Sequence, residues 1–267
     1  MSILNAILLG AVQGLTEFFP VSSSGHLVLL QKVFGIEGPA LFFDTMLHMG
    51  TLLAVFAVLW RDIWAILKKP IQLLTGLLIL ATVPAVLAAL AFSKPIEYAF
   101  ESGKFLGISF LVTAALLFSA ELLSRRTTGK SLKKAADMNW KDALLIGIMQ
   151  AIAIIPGVSR SGATISGALS RGLDREAAAR FSFLLSIPAI LGAMLFQAKD
   201  LVKGSTVPNG DTGAILAGTI SAAVVGFFAV RFMIKIIKER SLFGFALYTA
   251  ALGTLVLFDQ LWTHLIF

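Results

Sequence analysis

Two stretches of this chain set polar and ionisable side chains among apolar ones. In AVQGLTEFFPVSSSGH, residues 11–26, Gln13 and Glu17 lie four apart and are followed by Ser22, Ser23, Ser24, Gly25 and His26. In IIPGVSRSGATISG, residues 154–167, Arg160 stands between Ser159 and Ser161, with Gly162 and Thr164 close behind. A spacing of four puts Gln13 and Glu17 on one helix face, and a carboxylate in an apolar segment marks a functional candidate. A half-helix restarting after Pro20 would take Ser22, Ser23 or Ser24 as its N-cap, and its free N–H groups and hydroxyls suit an anion. His26 is placed to act as base, acid or nucleophile. The planar fork of Arg160 matches phosphate oxygens. Such a set fits phosphoryl chemistry on an amphiphilic substrate. Arg160 and the two half-helix starts would hold phosphate, while Glu17 and Gln13 would offer oxygen ligands to a divalent cation, Mg2+ or Ca2+. Transfer would pass through Ser23 or His26, or by direct attack of water. A purely structural Arg160–Glu17 pair would satisfy the same charges.

The composition says what must position these residues. Of 267 residues, 57% are hydrophobic and 14% charged, more apolar surface than a soluble domain of this size can bury. The expected class is an all-α integral membrane protein. Six runs have spanning length: 41–60, 71–92, 105–123, 181–198, 212–230 and 242–257. Regions 3–36 and 142–170 differ, each being two short apolar arms broken by Pro, Gly and Ser. Such arms reach about halfway across a bilayer and predict two re-entrant helical hairpins. The first charge is Glu17, so no basic leader region opens the chain, and the N-terminus is expected to belong to the mature fold. There is no cysteine for disulfides or thiolate metal sites. The net charge of +7 comes from dispersed Lys and Arg, which argues for membrane topology and against a nucleic-acid partner.

With both hairpins entering and leaving on one side, 16 of the 22 Lys and Arg residues fall on one face, five (Lys32, Lys94, Lys104, Lys199 and Lys203) on the other, and Arg160 within a hairpin. The positive-inside rule then places both termini outside the cytoplasm. At an offset of 137, Gly10, Gln13, Val21, Ser22, Ser24 and Gly25 meet Gly147, Gln150, Val158, Ser159, Ser161 and Gly162. This predicts an inverted-topology repeat of two units, 1–124 and 142–267, joined by a basic loop at 125–141, in which the two broken elements meet near the midplane. Asp44 and His48 share a helix face and suit a cavity or a helix end near water equally. Gly129-Lys130-Ser131 lacks the earlier glycine of a phosphate loop.

QGLTEFFPVSSSGH and PGVSRSGAT closely resemble the two signature motifs of the bacterial undecaprenyl-diphosphate phosphatases, the bacitracin-resistance family, and the likeness runs over essentially the whole chain. The resemblance implies hydrolysis of undecaprenyl diphosphate to the monophosphate, recycling the lipid carrier for peptidoglycan and other envelope polymers. It also implies a divalent-metal requirement and a multi-pass protein of the bacterial cytoplasmic (inner) membrane whose site opens to the extracytoplasmic side. The family's acidic motif falls on Gln13 and Glu17, its serine and histidine on Ser23 and His26, and its arginine motif on Ser159, Arg160, Ser161 and Thr164. Some members carry Glu where this chain has Gln13. The partners implied are a polyprenyl diphosphate and the phospholipid bilayer, with a homodimer left open. An anion carrier or lipid-carrier flippase shares the architecture, but transport alone leaves Glu17 and His26 unexplained.

Overall fold

The computed structural model describes residues 1–36, 41–126, 132–202 and 212–267. Lys130 and Lys203 of the charge count, and the Gly129-Lys130-Ser131 triplet, lie outside them. The elements of these residues are helices joined by turns and short loops, and the one β-contact among them is an isolated bridge between Lys133 and Leu173. Twelve α-helices are named in chain order. The first hairpin is α1 (Ile3–Thr16) and α2 (Ser23–Val33). It is followed by α3 (Leu41–Val58), α4 (Trp60–Lys68), α5 (Leu73–Ala91), α6 (Ser93–Ser102) and α7 (Leu106–Arg126). The second hairpin is α8 (Trp140–Ile152) and α9 (Arg160–Ser170), and α10 (Arg175–Val202), α11 (Thr212–Glu239) and α12 (Phe243–Phe258) complete the chain.

Among the described residues five helices are long and apolar enough to cross a membrane, and α3 with α4, bent by 78° at their junction, makes a sixth when the pair is taken as one span. These are the six expected spans. The hairpin arms measure 14 and 11 residues in the first and 13 and 11 in the second, each too short to cross. Two helices were not expected. Helix α4 leaves Trp60, Trp64 and Leu67 exposed while Ile63 and Ile66 pack on the core. Helix α6 ends at Gly103 in the left-handed conformation, φ 64°. Helix α11 also outlasts its apolar run, continuing through Arg231, Lys235 and Lys238, because long basic side chains are good helix formers.

Small residues bring the helices together. On α11 the stripe Ala214, Gly218, Ala222, Gly226 and Ala229 is buried against α1 and α3. A Cβ on Gly10 would collide with the Gly218 carbonyl, one on Gly50 with that of Thr219, and one on Gly14 would sit 2.6 Å from the Ala222 oxygen. Without water to drive association, such close backbone approach is how membrane helices gain dispersion contact. The second hairpin is seated alike, with Gly147 on α8 against Ala81 of α5 and its would-be Cβ 2.6 Å from the Ala81 oxygen. The main core includes Phe18, which meets Phe183 of α10 edge to face at 5.6 Å.

Candidate active site at the meeting of two hairpin tips

Each tip is built by its own serines. Ser22 caps α2 by accepting the Gly25 N–H at 3.2 Å, and Ser159 caps α9 by accepting the Gly162 N–H at 3.0 Å. The Ser22 and Ser24 hydroxyls lie 3.3 Å apart, those of Ser159 and Ser161 3.2 Å apart. The same bonds thus recur at residues 137 apart. Of the three serines offered as the first cap, Ser22 takes the role, and it does so at φ 73°, a left-handed conformation uncommon outside glycine. The tips bond to one another: the Ser161 hydroxyl donates to the Phe19 carbonyl at 3.0 Å, and Ser24 Oγ accepts the Gly157 N–H at 3.4 Å. Thr113 of α7 holds the second tip, accepting the Ser159 N–H at 2.9 Å.

Glu17, at the end of α1, is where the two hairpins meet. Its Oε1 accepts Arg160 Nη2 at 2.7 Å, and its Oε2 accepts the Ser23 hydroxyl at 2.6 Å and the Gln13 amide at 3.1 Å. Four of the expected residues therefore converge. Both charged side chains are largely buried, 7% exposed for Glu17 and 15% for Arg160. Arg160 is braced from behind, its Nη1 donating to the Ser182 carbonyl at 3.2 Å, while Thr164 donates to the Arg160 carbonyl at 2.8 Å. A buried guanidinium with one carboxylate partner keeps donors in hand for a further anion.

His26 is not in this cluster. Its Nδ1 lies 2.7 Å from the Ser22 carbonyl and its Nε2 2.7 Å from the Tyr248 hydroxyl of α12. A carbonyl only accepts, so Nδ1 carries the hydrogen and the Tyr248 O–H donates to Nε2. Phe110 meets the ring edge to face at 5.5 Å. With both nitrogens engaged, His26 secures the left-handed Ser22 of the tip. Tyr248 lies 222 residues away in sequence, and no local pattern points to it. His48 of α3, by contrast, reaches the site: its Nε2 is 3.7 Å from Glu17 Oε2.

A family model described as Bacitracin resistance protein BacA matches residues 6–255. The chain belongs to the BacA family. Three relatives show how far the likeness extends. The undecaprenyl-diphosphatase of Carboxydothermus hydrogenoformans is 46% identical over 97% of this chain and 98% of its own length. Undecaprenyl-diphosphatase 3 of Bacillus cereus is likewise 46% identical, over 97% of this chain and 98% of its own length. The undecaprenyl-diphosphatase of Methanosphaera stadtmanae is 41% identical over 96% and 98%. In this BacA chain Gln13 and Ser23 of the first signature stretch and Arg160 of the second meet at Glu17.

The BacA site has a donor set compatible with a divalent cation that shares its shell with a phosphorylated ligand. Glu17 supplies a carboxylate, and Gln13 Oε1 is buried without a hydrogen-bond partner. Among the described residues no three His, Cys, Asp or Glu side chains converge on one point, so these residues form no closed cage. Mg2+ in particular is commonly held by one or two carboxylates, with substrate phosphates and water completing its shell. At the second tip Ile154 occupies the place of Glu17. There Gln150, the counterpart of Gln13, is buried with both amide atoms unpartnered.

Proposed function

We propose that this membrane protein hydrolyses undecaprenyl diphosphate to undecaprenyl phosphate and inorganic phosphate. The reading is supported by its family and by one observation above all: Glu17 joins the arginine of one hairpin tip to a serine of the other, at 2.7 and 2.6 Å. A carboxylate so placed is a base for the Ser23 hydroxyl, and Arg160 stands where a terminal phosphate would lie within its reach.

In the first step Ser23 Oγ attacks the terminal phosphorus. Its proton passes to Glu17 Oε2, and the bridging P–O bond breaks with its electron pair leaving on the lipid monophosphate. Arg160 and the N–H groups at the starts of α2 and α9 stabilise the charge on the transferred group. In the second step water attacks the phosphoserine, the P–Oγ bond breaks, and Ser23 regains the proton held by Glu17 as dihydrogen phosphate departs. A Mg2+ or Ca2+ ion, held by Glu17 and Gln13 Oε1 on the protein side, would neutralise part of the diphosphate charge. His26, with Tyr248, keeps the tip in shape, and Ser22, Ser159, Ser161 and Thr164 hold the backbone donors in place.

The two hairpins plus three spans each form an inverted repeat in this reading, supported by the capping bonds recurring at residues 137 apart. The protein sits in the bacterial cytoplasmic membrane with both termini and the site on the extracytoplasmic side, supported by the 16-to-five division of basic residues. There the family's product returns to the cycle of peptidoglycan synthesis, and sustained recycling underlies resistance to bacitracin. The test is phosphate release from a C55 prenyl diphosphate by the purified protein, with and without chelator. Release that depends on Arg160 supports the proposal, and full activity in Arg160→Ala refutes the assignment.

A further inference from the structure

His48 lies on α3, outside both hairpins, yet its ring is aimed at the site by its own helix. Nδ1 is 2.7 Å from the Asp44 carbonyl, which only accepts, so Nδ1 carries a hydrogen. In the neutral ring the lone pair then sits on Nε2, which faces Glu17 Oε2 at 3.7 Å. Two electron-rich atoms facing one another call for positive charge between them. A direct imidazolium–carboxylate bond would be shorter, at about 2.7–2.9 Å, as the Arg160–Glu17 contact is at 2.7 Å. Two ligands of one cation, with bonds of about 2.1–2.5 Å at right to tetrahedral angles, sit roughly 3–4.1 Å apart, a range that includes the observed 3.7 Å. Histidines that bind metal almost always donate their other N–H to a carbonyl or carboxylate, as His48 does to Asp44. The first turn of α3 is itself anchored, since Gln31 of α2 donates to Asp44 Oδ1 at 2.7 Å. The His48 side chain is 30% exposed, so the protein itself does not close it off from an ion.

We propose that His48 is a ligand of the divalent cation through Nε2, sharing the ion with the Glu17 carboxylate in the state that precedes transfer of the Ser23 proton. This deepens the phosphatase reading and rests on it. The remaining positions fall to diphosphate oxygens, water and the unpartnered Gln13 Oε1. A nitrogen ligand favours first-row transition ions over Mg2+ and Ca2+, which makes Mn2+ a usable probe.

The purified chain in lipid nanodiscs is given Mn2+ alone, and Mn2+ with methylenediphosphonate, and examined by electron spin-echo envelope modulation. The expected spectrum shows modulation from one imidazole nitrogen, which changes to the 15N pattern when the protein is labelled with [15N]histidine, with no mutation needed. It disappears in His48→Gln, whose Mn2+ affinity falls by about tenfold or more, and persists in His26→Gln. Bound Mn2+ without imidazole modulation, modulation that survives His48→Gln, or no Mn2+ binding at millimolar concentration in either sample overturns the proposal. Phosphate release by the same wild-type preparation separates the two readings. Hydrolysis without a nitrogen signal removes His48 alone, whereas absence of hydrolysis removes the phosphatase reading beneath it.

Discussion

Replacing Glu17 by Gln keeps the shape of the side chain and removes its charge. Gln can still accept from Arg160 through its carbonyl oxygen, so the bond across the tips survives in weaker, neutral form. What it cannot do is take the Ser23 proton, now handed over across 2.6 Å. General base catalysis contributes typically 10²–10⁴-fold, so kcat should fall by that factor, or about 2.7–5.5 kcal/mol of barrier. The loss should appear in kcat far more than in KM, because the interaction strengthens as the proton moves. Residues that work as a unit are non-additive: Ser23→Ala alone should cost as much as Ser23→Ala with Glu17→Gln, the second change adding less than about threefold. The assay is phosphate release from prenyl diphosphate in nanodiscs, with circular dichroism and thermal unfolding to show that each variant folds. A Glu17→Gln enzyme within threefold of wild type, or losses that multiply in the double variant, would refute the pairing of base and nucleophile.

Four further outcomes follow from the same geometry. Tyr248→Phe removes the donor to His26 Nε2, and leaving a buried acceptor unpaired costs about 1–3 kcal/mol. Thermal unfolding should show that loss while phosphate release drops less than tenfold; a larger drop in a stably folded variant would give His26 a chemical role. Gly10→Val drives a branched side chain into the Gly218 carbonyl and should destabilise by about 1–3 kcal/mol or more, as overpacking does, whereas the same change at Gly76, with open space around it, should be mild by thermal shift. Asp142, outside the spanning helices, is buried, which raises its pKa, but the Asn139 N–H with Arg171 and Lys133 outweighs this and holds it below the usual range. A lowered folded pKa gives stability that is present above the unfolded value of about 3.9 and lost as pH falls through the folded one; Asp142→Asn should therefore be less stable than wild type at neutral pH, and the difference should begin to shrink below about pH 4 in a pH series of melts. Lys134→Cys, the sole thiol in a chain without cysteine, should resist an impermeant reagent added outside intact cells, and ready labelling would invert the proposed orientation.

What could be read in the sequence and what could not divides along physical lines. A span announces itself by an uninterrupted apolar run, so all six appear near their expected positions. The hairpins show equally well, because Pro20, Pro156 and the flanking serines break apolar stretches too short to cross. Helices α4 and α6 give no such signal because they are only 9 and 10 residues long and of mixed polarity. At the site, Gln13, Glu17, Ser23 and Arg160 were legible as costly polar residues in an apolar setting, and they converge as expected. His26 looked chemical for the same reason, but its environment is set by Tyr248, 222 residues away, and Phe110, 84 away by the numbering. His48 was legible only as a residue sharing a face with Asp44. Its direction depends on how α3 is rotated against α1, which Gly50 and the small-residue stripe of α11 determine.

The most direct test of the account is to trap the covalent intermediate. Undecaprenyl diphosphate carrying ³²P in its terminal phosphate is mixed with excess protein and quenched in acid within the first turnover. Label is expected on the peptide bearing Ser23, absent from Ser23→Ala and accumulating poorly in Glu17→Gln. Unlabelled protein during turnover, together with near wild-type hydrolysis by Ser23→Ala, would contradict it.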